Sequence, residues 1–216
     1  MFTAWNRALG PGVEVIPVEI AHRERFATLR QLVNEVHDQL GPQLDGPHMF
    51  FGHSFGALMA YRLACLRAFG GDLLPRAVFL SSYAPPHLPA PIPVVEHLDD
   101  RQLAALLSDL GGIPSELTQW PALRDRAVAA TRIDLRLCMT DEEAHAEALP
   151  CQIHAFGGRD DPLVSEADLH EWRWRTSANF SVHILNGGHF YLSDGPRLFA
   201  MLRPLLSTLA AGSVKC

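Results

Sequence analysis

The sequence predicts an α/β fold, a mostly parallel sheet flanked by helices. Short apolar runs of strand type alternate with helical periodicities along most of the chain. One run, Ala77-Val78-Phe79-Leu80-Ser81, is apolar throughout, the pattern of a parallel strand buried on both faces. Another, Met49-Phe50-Phe51, leads through Gly52-His53-Ser54-Phe55-Gly56 into the helical segment Ala57 to Ala64. Alternation of this kind implies right-handed crossovers between parallel strands.

Taken in order, Val13 to Ile20 reads as the first strand, with Pro17 marking an edge or a bulge. Phe26, Leu29, Leu32, Val33, Val36 and Leu40 recur at helical spacing, and Gly41-Pro42 ends that helix. The strand and helix around Ser54 follow, then the strand 77–81. From Ala84 to Pro150 no convincing strand is legible. This stretch opens on Ala84-Pro85-Pro86-His87-Leu88-Pro89-Ala90-Pro91-Ile92-Pro93, a proline-rich hinge. Helical patterns follow at Leu103, Leu106, Leu107 and Leu110 and again around Ala127 to Leu137. Residues 92–145 are therefore expected to form a helical insertion, either a lid over a site or helices that only enlarge the core. Strands at Ile153 to Phe156 and Phe180 to Leu185 resume the alternation. A last helix follows Gly195-Pro196, with Leu198, Phe199, Leu202, Leu205, Leu206 and Leu209 on its apolar face. The whole of 1–216 reads as a single domain, with no internal repeat or low-complexity stretch.

The chemistry concentrates at strand ends. A G-x-S-x-G run between strand and helix is a nucleophile elbow, in which a strained turn exposes the serine above the sheet. Glycines two residues either side of Ser54 are expected to remove Cβ atoms that would clash where strand and helix meet. The helix N-terminus, and the Phe55 amide in particular, faces a developing oxyanion. A serine hydroxyl needs a base to take its proton. His189, in Asn186-Gly187-Gly188-His189-Phe190 past the strand at 180–185, is the candidate base. Asp161, past the strand at 153–156, is the candidate orienting acid. Asp160 competes for that role, and the spacing from Gly158 through Asp161 to Val164 favours Asp161. Either aspartate could instead cap the helix that follows, as Ser165 could. Serine, acid, then histidine is the chain order of an α/β-hydrolase fold.

Composition narrows the field further. A 216-residue chain with 48% hydrophobic and 19% charged residues can bury a sizeable core. Its net charge of −6 gives no reason to expect nucleic acid or an anionic membrane as partner. No apolar stretch reaches the ~18 residues of a membrane span, and Met1-Phe2-Thr3-Ala4-Trp5 does not open a signal peptide. Cys65, Cys138, Cys151 and Cys216 fit neither a disulfide framework nor a metal pair, which favours a reducing cytoplasm. His53 is expected to pack beside the elbow. The other histidines lack metal-like spacing, so neither metal nor cofactor is expected.

With these residues placed, the chain resembles the type II thioesterases of nonribosomal peptide and polyketide assembly lines, almost end to end. Phe2-x-x-Trp5 and Arg23-Glu24-Arg25 resemble the family's opening region, and residues 52–61 resemble its elbow. Ala84-Pro85-Pro86-His87-Leu88-Pro89 resembles the approach to its lid. Leu98-Asp99-Asp100, Leu110-Gly111-Gly112-Ile113-Pro114 and Arg132-Ile133-Asp134-Leu135 resemble lid landmarks, and Gly187-Gly188-His189-Phe190 its histidine loop. The resemblance implies hydrolysis of acyl groups from the phosphopantetheine arm of an acyl- or peptidyl-carrier protein, clearing stalled or misprimed units. Ser54 would attack, His189 would move the proton and Asp161 would hold the imidazole.

The sequence departs from that family in three places. Members usually begin with one more strand and a loop resembling Pro-x-Ala-Gly-Gly, which would supply a second oxyanion amide; the sequence opens at Met1, where that loop should end, and a truncated or misassigned start is expected ahead of a naturally shortened member or a replaced loop. Loss of one such donor costs on the order of 10²–10³ in rate. His22 stands where a glycine is common, and Met139 lies near a position often held by tyrosine. Two other functions share these residues. A general carboxylesterase or lipase would turn over simple oxygen esters. A non-catalytic carrier-binding protein would keep only the fold.

Overall fold

The computed structural model describes residues 5–89, 98–112, 120–141, 148–193 and 195–211. Among them, four strands form one parallel sheet: β1 (Phe50–His53), β2 (Ala77–Ser81), β3 (Gln152–Gly158) and β4 (Phe180–Leu185), in that spatial order. Register brings Gly52 beside Leu80, Ser81 beside Phe156 and Gly158 beside Leu185, so the chemistry-bearing loops leave the sheet at one end.

Seven helices accompany the strands among the described residues: α1 (Trp5–Leu9), α2 (Leu29–Leu40), α3 (Phe55–Gly70), α4 (Asp100–Asp109), α5 (Pro121–Met139), α6 (Glu166–His170) and α7 (Gly195–Ala211). Alternate side chains of the strands enter two cores. Val78, Leu80, Ile153 and Ala155 pack with α2 and α3; Ala77, Phe79, Phe156 and Leu185 pack with Trp5 and α7. The first helix of the sequence reading begins at Leu29, because Thr28 accepts the Gln31 amide as its N-cap. Its buried face is Leu29, Leu32, Val33, Val36 and Leu40.

The expected first strand at Val13 to Ile20 is not a strand. The segment pairs with no strand among the described residues, and Ile16 and Val18 are exposed. Asn6 takes both main-chain groups of Val15 that a ladder would use, its amide donating to the carbonyl and its side-chain oxygen accepting the N–H at 2.6 Å. Pro17 has no N–H to offer. Alternating apolar residues are thus not sufficient for a strand; a paired neighbour decides.

Between β2 and β3 the described residues include α4 and α5, with an isolated bridge of Leu149 to Thr176. Parts of the 92–145 insertion, including Ile113 and Pro114, lie outside the described residues, as do Phe2 and Cys216. The two helices differ in attachment. Helix α5 is fastened to the body: Arg23 holds Asp134 at 2.7 and 2.9 Å, Arg62 holds Asp141 at 2.7 Å through two bonds, and Thr140 accepts the Leu29 amide at 2.8 Å. Helix α4 opens on a capping box of Asp99 and Gln102 and packs through Leu103 and Leu107 against Val128 of α5. Among the described residues no helix is long and apolar enough to cross a membrane, and no three potential metal ligands cluster.

Candidate active site

The elbow is built from backbone. Ser54 joins β1 to α3 at φ 53°, ψ −122°, a left-handed conformation that side chains rarely adopt. Main-chain bonds hold it there: its amide donates to the Ser81 carbonyl at 2.7 Å, and its carbonyl accepts the Ala57 amide at 2.8 Å and the Leu58 amide at 3.4 Å. A methyl group at Gly52 would overlap the Gly56 carbonyl and lie 2.6 Å from the Ala57 nitrogen. A methyl group at Gly56 would meet nothing within 4 Å. The two glycines of the motif are therefore not equivalent, contrary to the sequence reading: only Gly52 is fixed by a clash. The Phe55 amide, at the first position of α3, has no acceptor among the described residues.

The acid and histidine loops meet across a second glycine. A methyl group at Gly158 would overlap the carbonyls of Gly187 and Gly188. Past it, Asp161 turns inward with its side chain fully buried, accepting the Leu163 amide at 2.9 Å. Asp160 is exposed and engages through its backbone, donating to the Gly187 carbonyl. The next helix, α6, is capped by Ser165 in a capping box with Asp168, so neither aspartate is needed there.

These loops bring Ser54, His189 and Asp161 into one hydrogen-bonded chain. His189 Nδ1 lies 3.0 and 3.2 Å from the Asp161 carboxylate oxygens, and its Nε2 lies 3.1 Å from Ser54 Oγ. With Nδ1–H donating to the carboxylate, Nε2 is free to accept the Ser54 proton. Burial alone would raise the Asp161 pKa; the hydrogen bond and charge of His189, followed by the Leu163 amide and the Ser82 hydroxyl, bring it below the ordinary carboxylate value.

His53 packs beside the elbow as expected, its ring 5.2 Å from that of His189. Burial, reinforced by the positive charge available to His189, pushes its pKa down to about 3. A neutral His53 adds no competing charge next to the imidazole. Its Nδ1 bonds Ser81 Oγ at 2.9 Å, and Ser81 Oγ bonds the Tyr191 hydroxyl at 2.6 Å. Sequence reasoning missed Ser81, Ser82 and Tyr191. Their signal was position: two serines at the C-terminal end of a strand beside the elbow strand, where open α/β sheets build sites.

A serine, histidine and buried carboxylate linked in this way, on a parallel sheet, narrow the family. The model of the thioesterase domain matches residues 1–206. The chain belongs to the thioesterase domain family. Among relatives of this thioesterase is LgrE of Brevibacillus parabrevis, named a linear gramicidin dehydrogenase; it is 31% identical over 98% of this chain and 84% of its own. RedJ, a thioesterase of the prodiginine biosynthetic pathway in Streptomyces coelicolor, shares 33% identity over 94% of this chain and 79% of its own, with a TM-score of 0.84. BorB, a type II thioesterase from the borrelidin biosynthetic cluster, shares 28% identity over 86% of this chain and 74% of its own, with a TM-score of 0.74.

The segment just past α4 also approaches the histidine loop. A methyl group at Gly112, just past α4, would lie 2.6 Å from the Phe190 ring, next to His189. The helical insertion therefore reaches the histidine loop.

Proposed function

We propose that this thioesterase is of type II and hydrolyses acyl thioesters on the phosphopantetheine arm of an acyl- or peptidyl-carrier protein of a nonribosomal peptide or polyketide assembly line, in the cytoplasm. The observation that carries the hydrolytic part is the chain from Ser54 Oγ through His189 to Asp161, with links of 3.1 and 3.0 Å. The carrier part is supported by relatives such as RedJ, a thioesterase named for the prodiginine biosynthetic pathway, and BorB, a type II thioesterase named for the borrelidin biosynthetic cluster.

In this reading Ser54 Oγ attacks the thioester carbonyl while its proton passes to His189 Nε2. The carbonyl oxygen takes up charge beside the Phe55 amide and the positive end of α3. The C–S bond breaks, and the thiol leaves with the proton from His189. Water, deprotonated by His189, then attacks the acyl-serine and releases a free acid. Asp161 keeps the imidazole in the tautomer that accepts at Nε2 throughout. Helix α4, resting on the fastened α5 and reaching Phe190, serves as the movable part of a lid under which the arm enters.

The test is hydrolysis of an acyl group loaded on a phosphopantetheinylated carrier, followed by mass spectrometry, beside the acyl-coenzyme A and the p-nitrophenyl ester. Serine-dependent release, faster from the carrier than from the oxygen ester, is expected, with Ser54→Ala inactive. Preference for the oxygen ester would make the protein a general esterase. Binding of the carrier without release of any acyl group would leave a non-catalytic carrier-binding protein.

A further inference from the structure

Ser82 ends β2 in a conformation that its own side chain disfavours. Its φ is 50°, in the left-handed region where glycine carries no steric cost. The residue is completely buried. Its amide donates to the Phe156 carbonyl at 2.8 Å, which ties this turn to β3. A glycine would supply the same φ and the same amide bond without strain. The backbone therefore accounts for the turn and not for the serine; what the serine adds is a hydroxyl.

That hydroxyl sits among the groups of the triad. Ser82 Oγ donates to the carbonyl of His189 itself, at 3.3 Å. The same hydroxyl is also one of the groups that lower the Asp161 pKa. One side chain thus touches the main chain of the base, from a strand end bonded to Ser54 through the Ser81 carbonyl. The histidine loop contains Gly187 at φ 116° followed by Gly188, so it has little steric restraint of its own. Strained residues of this kind persist where the surrounding structure holds them, often at functional sites.

We propose that Ser82 is a positioning residue of this thioesterase, whose hydroxyl holds the His189 backbone and keeps the imidazole in line between Ser54 and Asp161. This rests on the hydrolytic reading of Ser54, His189 and Asp161. Ser82 touches no substrate. It acts by setting where Nε2 stands relative to Ser54 Oγ, and a displacement on the order of 1 Å there costs about 10²-fold in rate.

The experiment compares Ser82→Gly, Ser82→Ala and Ser54→Ala with the parent, using an acyl-coenzyme A substrate. Steady-state kinetics and thermal unfolding are measured on each protein. Ser82→Gly removes the hydroxyl and the strain together, so its Tm is expected to equal or exceed the parent's. Its kcat is expected to fall about 10-fold with KM within about 2-fold, the signature of a misplaced base and not of a damaged fold. Ser82→Ala removes the hydroxyl and keeps the strain, so it should show the same kcat loss with a lower Tm. Parent kcat in Ser82→Gly would overturn the inference, as would a loss in Ser82→Ala that Ser82→Gly does not share. If Ser54→Ala hydrolyses at the parent rate, the hydrolytic reading itself fails, whatever Ser82 does.

Discussion

Gly52→Ala and Gly56→Ala make a pair that a motif treats alike and the structure separates. At position 52 the new methyl group would lie 2.6 Å from the Ala57 nitrogen and overlap the Gly56 carbonyl. Ordinary contact begins near 3.4 Å, so β1 and the start of α3 must part by about 1 Å. The neighbours are main-chain atoms of a helix whose first bonds run to Ser54, and no side chain can swing aside. Overpacking of this kind costs about 1–3 kcal/mol of stability. Because the displaced segment carries Ser54, a shift near 1 Å costs about 10² in kcat as well. At position 56 the methyl group enters open space within the first turn of a helix. There Gly→Ala is expected to stabilise by about 0.5–1 kcal/mol. Urea unfolding of both variants, with hydrolysis of an acyl-coenzyme A by Gly52→Ala, reads these differences. Parent-like stability and rate in Gly52→Ala, or equal destabilisation by both substitutions, would refute the reasoning.

Two further substitutions probe charge. Asp161→Asn should lower kcat by about 10²–10⁴, since it weakens the hold on the His189 tautomer, whereas exposed Asp160→Asn should stay within about 2-fold; steady-state kinetics would exchange the two roles if the losses were reversed. His154, only 7% exposed, has its pKa pushed down to about 4 by burial and then by the neighbouring His183 charge. The unfolded chain takes up this proton near pH 6.5 and the folded chain does not, so stability falls as pH drops from 6.5 toward 4. At pH 5 the cost is about 2 kcal/mol, and in urea unfolding His154→Gln should lose about that much less stability than the parent between pH 7 and pH 5; equal losses would show that His154 is not held neutral.

Much of this fold was legible because its signals are local. The buried run at Ala77 to Ser81, the helix from Leu29 to Leu40 and the strands at residues 153 and 180 declare themselves by periodicity. Ser54 declared itself by a turn that only a few residues can build, and Asp161 and His189 by standing just past strand ends. What stayed hidden depends on partners distant in sequence. Val13 to Ile20 alternates like a strand, yet Asn6 occupies the groups of Val15 that would have paired. Gly158 reads as an ordinary loop glycine until the carbonyls of Gly187 and Gly188 arrive against it. His22, where the resemblance leads to the expectation of a glycine, lies at φ 52°, a conformation that glycine adopts freely. Ser82 looks like any serine after a strand, because a φ of 50° cannot be read from residue type.

The central claim is that His189 activates Ser54. Labelling with a fluorophosphonate, a reagent that modifies activated serines, tests it directly when followed by intact mass and peptide mapping. The account predicts one adduct per chain, on the peptide containing Ser54, absent in Ser54→Ala and slowed at least about 10²-fold in His189→Ala. An adduct on another residue, or labelling of Ser54 at the same rate without His189, would contradict it.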